Sequence, residues 1–356
     1  MEHNFNTYKN LKVLVTGSTG FKGAWLCFWL DLLKAKVIGV GLKPEKGSII
    51  FKKLKLPKKI KQYYFNIVDF KKLNNVIKKE KPDIIFHLAA QSIVSESFVK
   101  PLQTINFNVM GSSNILESSR INKIKNLVYI TSDKCYLNDN RNKTYKENNK
   151  LGGKDVYSSS KAAAEVIFYS YHKSFLNKNK KLKYASARAG NVIGGGDMKK
   201  DRIVPDIIKS IIKKNPLFLR NPKAIRPWQH VLESLYGYLI LGNFLIKGKL
   251  NKNKTPNWNF GPNSSNYKNV LSVTKKIISI WGLKKSIIKI KKVDFKESNI
   301  LRLNNRKARN ELKWLPKLNF EETIKLTVDW YKVLEQNGNF EKITKDQIEF
   351  FMKKKL

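Results

Sequence analysis

The sequence predicts an α/β fold, a doubly wound parallel sheet joined to a smaller, interleaved C-terminal domain. Three observations carry that prediction. Short apolar runs alternate with segments of helical length across the first 190 residues. A glycine-rich turn follows the first of these runs directly. Beyond residue 191 the alternation loosens without an internal repeat or a glycine/serine linker, so the second domain is expected to be interleaved with the first. The expected boundaries are 1–190 and mainly 191–356, with about 225–262 returning to the first domain.

In chain order, Lys12-Val13-Leu14-Val15-Thr16-Gly17 reads as a buried strand ending in a turn, Phe21 to Leu33 as an apolar helix, and Lys36 to Val40 as a second strand. The lysine-rich stretch from Lys43 to Lys61, with Pro44, Gly47 and Pro57, reads as irregular surface chain. A third strand is expected at Tyr63 to Ile67, a helix at Phe70 to Lys79 and a fourth strand at Asp83 to Leu88. Helix Asn106 to Asn122 leads to strand Asn126 to Ile130, and helix Asp155 to Ser174 leads to strand Lys183 to Arg188. Helices near Pro205 to Lys213 and Val231 to Leu245, a strand from Trp258 and a final helix at Phe320 to Glu335 before a charged tail complete the reading.

Composition limits the function. A chain of 356 residues that is 42% apolar can bury a sizeable core. No run of about 18 apolar residues predicts a membrane helix. The short polar stretch Met1 to Asn10 lacks the apolar region of a secretory signal. Two isolated cysteines, Cys27 and Cys135, point to a reducing cytoplasm. The net charge of +43 comes from 61 lysines and only nine arginines, spread along the whole chain. Nucleic-acid binders concentrate arginine for bidentate contacts, so a solvated lysine-rich surface is expected, with no nucleic-acid partner. Its field would attract anionic substrates such as nucleotide diphosphates. The four histidines have no metal-ligand spacing, and no metal is expected.

Gly17, Gly20 and Gly23 form a GxxGxxG pattern, with Phe21 and Lys22 at the head of the following helix. Glycines let the backbone approach a pyrophosphate, which the helix N-terminal N–H groups then bind. Tyr157 and Lys161 lie at i and i+4 on one predicted helix and share a face. A free tyrosine titrates near about 10 and needs a neighbouring cation to serve as a base. Ser132 ends a predicted strand 25 positions before Tyr157, and the ionisable pair Asp133-Lys134 follows it. Among scarce arginines, Arg202 and Arg226 are candidates to bind a substrate diphosphate, because a guanidinium fork grips it bidentately. His230 reads as a packed or capping histidine.

Cradle, serine, tyrosine and lysine in this order resemble the extended short-chain dehydrogenase/reductase family, and within it the nucleotide-sugar epimerases and dehydratases. The likeness runs from about Lys12 to Trp330, through Ser186-Ala187-Arg188-Ala189-Gly190-Asn191 and Ile225-Arg226-Pro227-Trp228-Gln229-His230. It implies a Rossmann-type domain holding NAD and a C-terminal substrate-binding domain for a nucleotide sugar. The choice of NAD rests on resemblance alone, since Gly41-Leu42-Lys43 stands where an acidic residue usually meets the ribose, and Lys43 could even accept a 2′-phosphate. Asn66 and Ile67 match the adenine-holding pair, Leu88, Ala89 and Ala90 the segment beside the cofactor, and Asn108 a buried helix asparagine. Gln91 and Asn191 are expected at the substrate. Thr131-Ser132-Asp133-Lys134-Cys135-Tyr136 is similar to the 4,6-dehydratase segment, in which Asp-Lys marks enzymes acting on CDP-glucose and Asp-Glu those acting on dTDP-glucose. The implied cycle oxidises C4, eliminates water across C5 and C6 with Asp133 as acid and Lys134 as base, and reduces C6. A homodimer through the helices near Asn106 and Asp155 is implied as well. Met198, Lys154 and the lysines of Lys46–Lys61 depart from the family pattern. Another nucleotide-sugar dehydratase or epimerase, or a redox-silent RNA-binding member, stands as the alternative.

Overall fold

Strands that are apolar along their whole length are stable only when both faces are covered, and that is what parallel sheets provide. The computed structural model describes residues 3–45, 49–138, 143–179, 181–251, 255–283, 288–290 and 300–355; Lys46 and Gly47 lie outside them. Seven strands form the central sheet: β1 (Lys12–Thr16), β2 (Lys36–Gly41), β3 (Lys61–Tyr64), β4 (Ile84–His87), β5 (Asn126–Ile130), β6 (Lys183–Ala189) and β7 (Asn257–Phe260). Their order is β7-β6-β5-β4-β1-β2-β3, and every neighbouring pair is parallel. Leu14, Ile84, Ile85, Leu127 and Val128 have no exposed surface, so the sheet is covered on both faces. Winding reverses between β1 and β4, and a crevice opens there beyond the carboxyl ends of the strands. Gly17, Leu88, Thr131 and Gly190 all leave the sheet at that edge.

Small two-stranded pairings build the C-terminal part. Ile225–Pro227 pairs antiparallel with Tyr267–Asn269, and Gln229–His230 pairs with Val192–Ile193. This part reaches the sheet edge directly. The position a Cβ of Gly190 would take is 2.6 Å from Pro227 and 3.2 Å from Asp133 Oδ2.

Four expectations need correction. The third strand lies two residues earlier than expected, at Lys61–Tyr64, because Asn66 turns the chain by accepting the Val68 N–H. The described part of Lys43 to Lys61 is not irregular: helical turns Ile50–Lys53 and Leu56–Lys59 bury Ile50, Phe51 and Leu56, apolar residues hidden among lysines. The charged tail is a helix, Phe340–Lys353, capped by Asn339 and burying Phe340, Ile348 and Phe351. Its apolar stripe has helical spacing, masked in the sequence by charge on the other faces. Helices Val270–Trp281 and Arg306–Leu312 were not expected at all.

Candidate active site

The cradle is built by steric exclusion. Gly17 has φ +73°, and a Cβ there would lie 2.8 Å from the Ala89 nitrogen. At Gly23 a Cβ would lie 2.0 Å from the Gly17 carbonyl oxygen. β1, the turn and helix Phe21–Leu32 can therefore pack this closely only without side chains. Gly20, at the N-cap, offers no capping side chain, so the first-turn N–H groups are left to a ligand. A pyrophosphate fits that donor set, and the residues present suit a dinucleotide. Leu88, Ala89 and Ala90 run from the end of β4, and Ala89 N–H donates to Thr16 Oγ1 at 3.2 Å. Asn66 and Ile67 follow β3, and Asn114 Nδ2 donates to the Ile67 carbonyl at 3.0 Å.

The catalytic candidates come together at the next strand end. Ser132 caps the short turn Asp133–Cys135; its hydroxyl donates to Asp133 Oδ1 at 3.0 Å and accepts the Lys134 N–H at 3.2 Å. Helix Val156–Tyr171 starts at Asp155, whose carboxylate accepts the Ser158 N–H, and this aims Tyr157 and Lys161 inward. Tyr157 is 7% exposed and Lys161 5%. Burial raises Tyr157 to about 12, and a hydrogen bond with Ser132 acts against that rise. Lys161 Nζ stands 5.9 Å from the Tyr157 ring centroid. Burial, then the charge of Lys22, lowers it to about 7. Burial also raises the Asp133 carboxyl, against the pull of Lys134, Ser132 and Arg226. Asp133 Oδ2 has no hydrogen-bond partner among the described residues.

Other expected residues surround this centre. Arg202 donates to Asp197 Oδ2 and to Ser92 Oγ, each at 2.6 Å, and its charge reaches Tyr157 and Lys22. Arg226 is buried beside Asp133. Asn191 follows β6, and its carbonyl accepts the Gln229 N–H at 3.1 Å. The Gln91 amide holds its own turn, donating to the Ile93 carbonyl and to Thr104 Oγ1. Asn108 bridges Gln91 to helix Val156–Tyr171: Nδ2 donates to the Gln91 carbonyl at 3.0 Å and to Ser160 Oγ at 2.9 Å. His230 caps helix Val231–Ile246 through the Leu232 N–H. Among the described residues no three His, Cys, Asp or Glu side chains gather as a metal site would require.

The family profile described as GDP-mannose 4,6 dehydratase matches residues 14–327. The chain belongs to that dehydratase family. It is similar to the CDP-glucose 4,6-dehydratase of Salmonella typhimurium, 39% identical over 92% of each chain. The dTDP-D-glucose 4,6-dehydratase of Dictyostelium discoideum is 31% identical over 56% of this chain and 48% of its own. Two solved structures share the fold. A UDP-glucose 4-epimerase of Thermotoga maritima with UDP-glucose has a TM-score of 0.79 at 22% identity, covering 91% of this chain and 100% of its own. The dTDP-glucose 4,6-dehydratase of Bacillus anthracis, in complex with NAD, has a TM-score of 0.76 at 23% identity, covering 92% and 98%.

Lys22 was named at the cradle from the glycine motif, and the structure adds the electrostatics of its side chain. Burial lowers it to about 8, Arg202 adds to that shift, and Asp133 and Asp197 oppose it. Sequence reasoning missed Glu165, although it stands four residues after Lys161 on the same helix face. A separate cavity of about 650 Å³ is lined by Glu165 and Arg188 with Lys146, Tyr169, Arg306 and Lys307. Neither the glycines nor Ser132 nor Tyr157 line it, so it lies apart from the candidate active site.

Proposed function

We propose that this chain dehydrates CDP-glucose to CDP-4-keto-6-deoxyglucose, with NAD on the glycine cradle. The observation that carries the reading is Asp133: a buried carboxyl whose affinity for its proton is raised, in hydrogen-bond contact with the serine that also meets Tyr157. An epimerase needs no such acid; an elimination needs one to protonate its leaving group. The 39% identity to the Salmonella enzyme over 92% of the chain supports cytidine as the base.

Tyr157 takes the proton of the C4 hydroxyl while Ser132 hydrogen-bonds the same oxygen. Because burial alone makes this phenol a poor base, the Ser132 hydrogen bond and the Arg202 charge, which oppose that effect, matter to its function. Where Lys161 carries its proton, its charge favours the phenolate. When bound, NAD supplies the acceptor for the C4 hydride and its donor at C6. With C4 a ketone, the C5 proton is acidic; Lys134 removes it and Asp133 protonates the departing C6 hydroxyl, which leaves as water, and once C6 has gained hydride Lys134 returns the proton to C5. Arg202 and Arg226 hold the diphosphate, and Gln91 and Asn191 the sugar side. Asn66 and Ile67 hold the adenine, Leu88, Ala89 and Ala90 flank the cofactor, and Asn108 secures that wall. In this reading residues 1–190 carry the cofactor and 191–356 mainly the substrate. Two copies pair through the apolar faces of the helices bearing Val99, Leu102, Ile105, Val166 and Tyr169, all of them exposed. The product would serve deoxysugar synthesis for a surface polysaccharide such as a lipopolysaccharide O-antigen, in the cytoplasm.

The test is incubation of the purified protein and NAD with CDP-glucose, dTDP-glucose and GDP-mannose in parallel, following product mass. Loss of one water from CDP-glucose alone is expected; conversion of another sugar nucleotide instead reassigns the substrate.

A further inference from the structure

A buried polar network surrounds the catalytic segment and takes no part in the proton transfers. Glu165 lies one turn beyond Lys161 on helix Val156–Tyr171. Its Oε1 accepts from Thr131 Oγ1 at 2.5 Å, and its Oε2 accepts from Ser186 Oγ at 3.0 Å and Arg188 Nη2 at 2.6 Å. Arg188 Nη1 donates onward to the Tyr136 hydroxyl at 2.8 Å and to the Glu147 carbonyl at 2.9 Å. The Tyr136 hydroxyl donates to Asn259 Oδ1 at 2.7 Å. Thr131 directly precedes Ser132, and Tyr136 directly follows Cys135. The network therefore grips both ends of the segment that carries Ser132, Asp133 and Lys134, and it is rooted on the helix that carries Tyr157 and Lys161.

Stability does not explain it. Both Glu165 and Arg188 are 2% exposed. Burying such a pair costs desolvation that its own attraction does not reliably return, and packed apolar residues often serve a core as well. Placement does explain it: the backbone bonds inside the turn are long, Cys135 N to the Ser132 carbonyl at 3.2 Å and Tyr136 N to the Asp133 carbonyl at 3.5 Å. Thr131 N–H to the Ala187 carbonyl and Gly152 N–H to the Cys135 carbonyl, each at 2.9 Å, hold only its backbone ends. We infer that Glu165 and Arg188 are positioning residues that set Ser132, Asp133 and Lys134 against Tyr157 and Lys161, with Thr131 as the point of attachment. The charge of Glu165 also raises Lys161, against burial and Lys22, so Glu165 acts on both halves of the site.

Removing Glu165 would strand a buried arginine and can unfold the chain, so Thr131 is the residue to change. Thr131→Val keeps the shape and deletes the hydroxyl; Thr131→Ser keeps the hydroxyl. In the full-length protein, Thr131→Val is expected to speed amide hydrogen exchange in 132–136 by about tenfold while helix 156–171 holds; the melting temperature falls by a few degrees, because Glu165 Oε1 loses its buried donor. In turnover, which rests on the dehydration reading, kcat should fall by roughly 10- to 100-fold at unchanged KM, with oxidised C4 product formed faster than water is lost. Thr131→Ser should restore both. Wild-type exchange in Thr131→Val, or equal damage in the two variants, overturns the inference. A wild-type protein that dehydrates nothing would sink the substrate reading, while the exchange result would still decide the positioning role.

Discussion

Gly23→Ala places the most severe clash in the cradle. The new Cβ would sit 2.0 Å from the Gly17 carbonyl oxygen and 2.6 Å from its carbon. A tolerable C···O contact is about 3.3 Å, so the two backbones must part by roughly 1.3 Å. Neither partner is a side chain that can swing away. Helix Phe21–Leu32 must retreat from the turn, carrying its first-turn N–H groups off the pyrophosphate. Overpacking of this kind costs about 1–3 kcal/mol of stability. Losing one charge-assisted hydrogen bond to the pyrophosphate costs about 1.5–3 kcal/mol, or up to about 100-fold in affinity. Gly23→Ala should therefore melt several degrees lower and bind NAD roughly 100-fold more weakly, or about 2.7 kcal/mol. Gly20→Ala is the contrast: its Cβ would meet only the Gly17 oxygen, at 3.3 Å, so the melting temperature should hold even where the methyl meets the ligand. Titration calorimetry with NAD and a thermal melt of both variants check this. Wild-type affinity in Gly23→Ala would refute the packing argument for the cradle.

Other outcomes follow from the same site. Lys134→Ala should still oxidise C4, seen as reduced cofactor at 340 nm, yet release almost no water; unchanged dehydration would remove Lys134 from the mechanism. Lys161 is depressed to about 7, so the folded protein binds fewer protons than the unfolded chain between there and the ordinary lysine range near 10.5. Its burial penalty is fully present below about pH 7 and fades as pH rises toward 10.5. Lys161→Met should thus be more stable than wild type at pH 7 by a margin that shrinks toward pH 10, read by denaturant melts; a constant margin would contradict the depressed value. Leu102, 80% exposed, is central to the proposed pairing face, so the wild type is expected to sediment as a dimer and Leu102→Asp as a monomer; equal sedimentation of the two would remove this face from the pairing.

Local spacing carried most of what the sequence determined about this protein. The sheet was legible because a buried strand is a contiguous apolar run and each run is followed by helical length. GxxGxxG, YxxxK and Ser132-Asp133-Lys134 were legible because each is a short segment whose chemistry depends on its own spacing. Where lysines crowd the polar faces, as at Ile50–Lys53 and Phe340–Lys353, the same logic failed, since charge concealed a real apolar stripe. Tertiary structure alone decided the rest. Glu165 and Arg188 are 23 residues apart on a helix and a strand, and their pairing exists only because β6 runs beside β5. That Lys161 is buried and Lys22 half-buried at the candidate active site follows from elements packed over them from distant parts of the chain. A lysine's identity is written in the sequence, but its proton affinity depends on the water and charges around it, and only the assembled fold sets those.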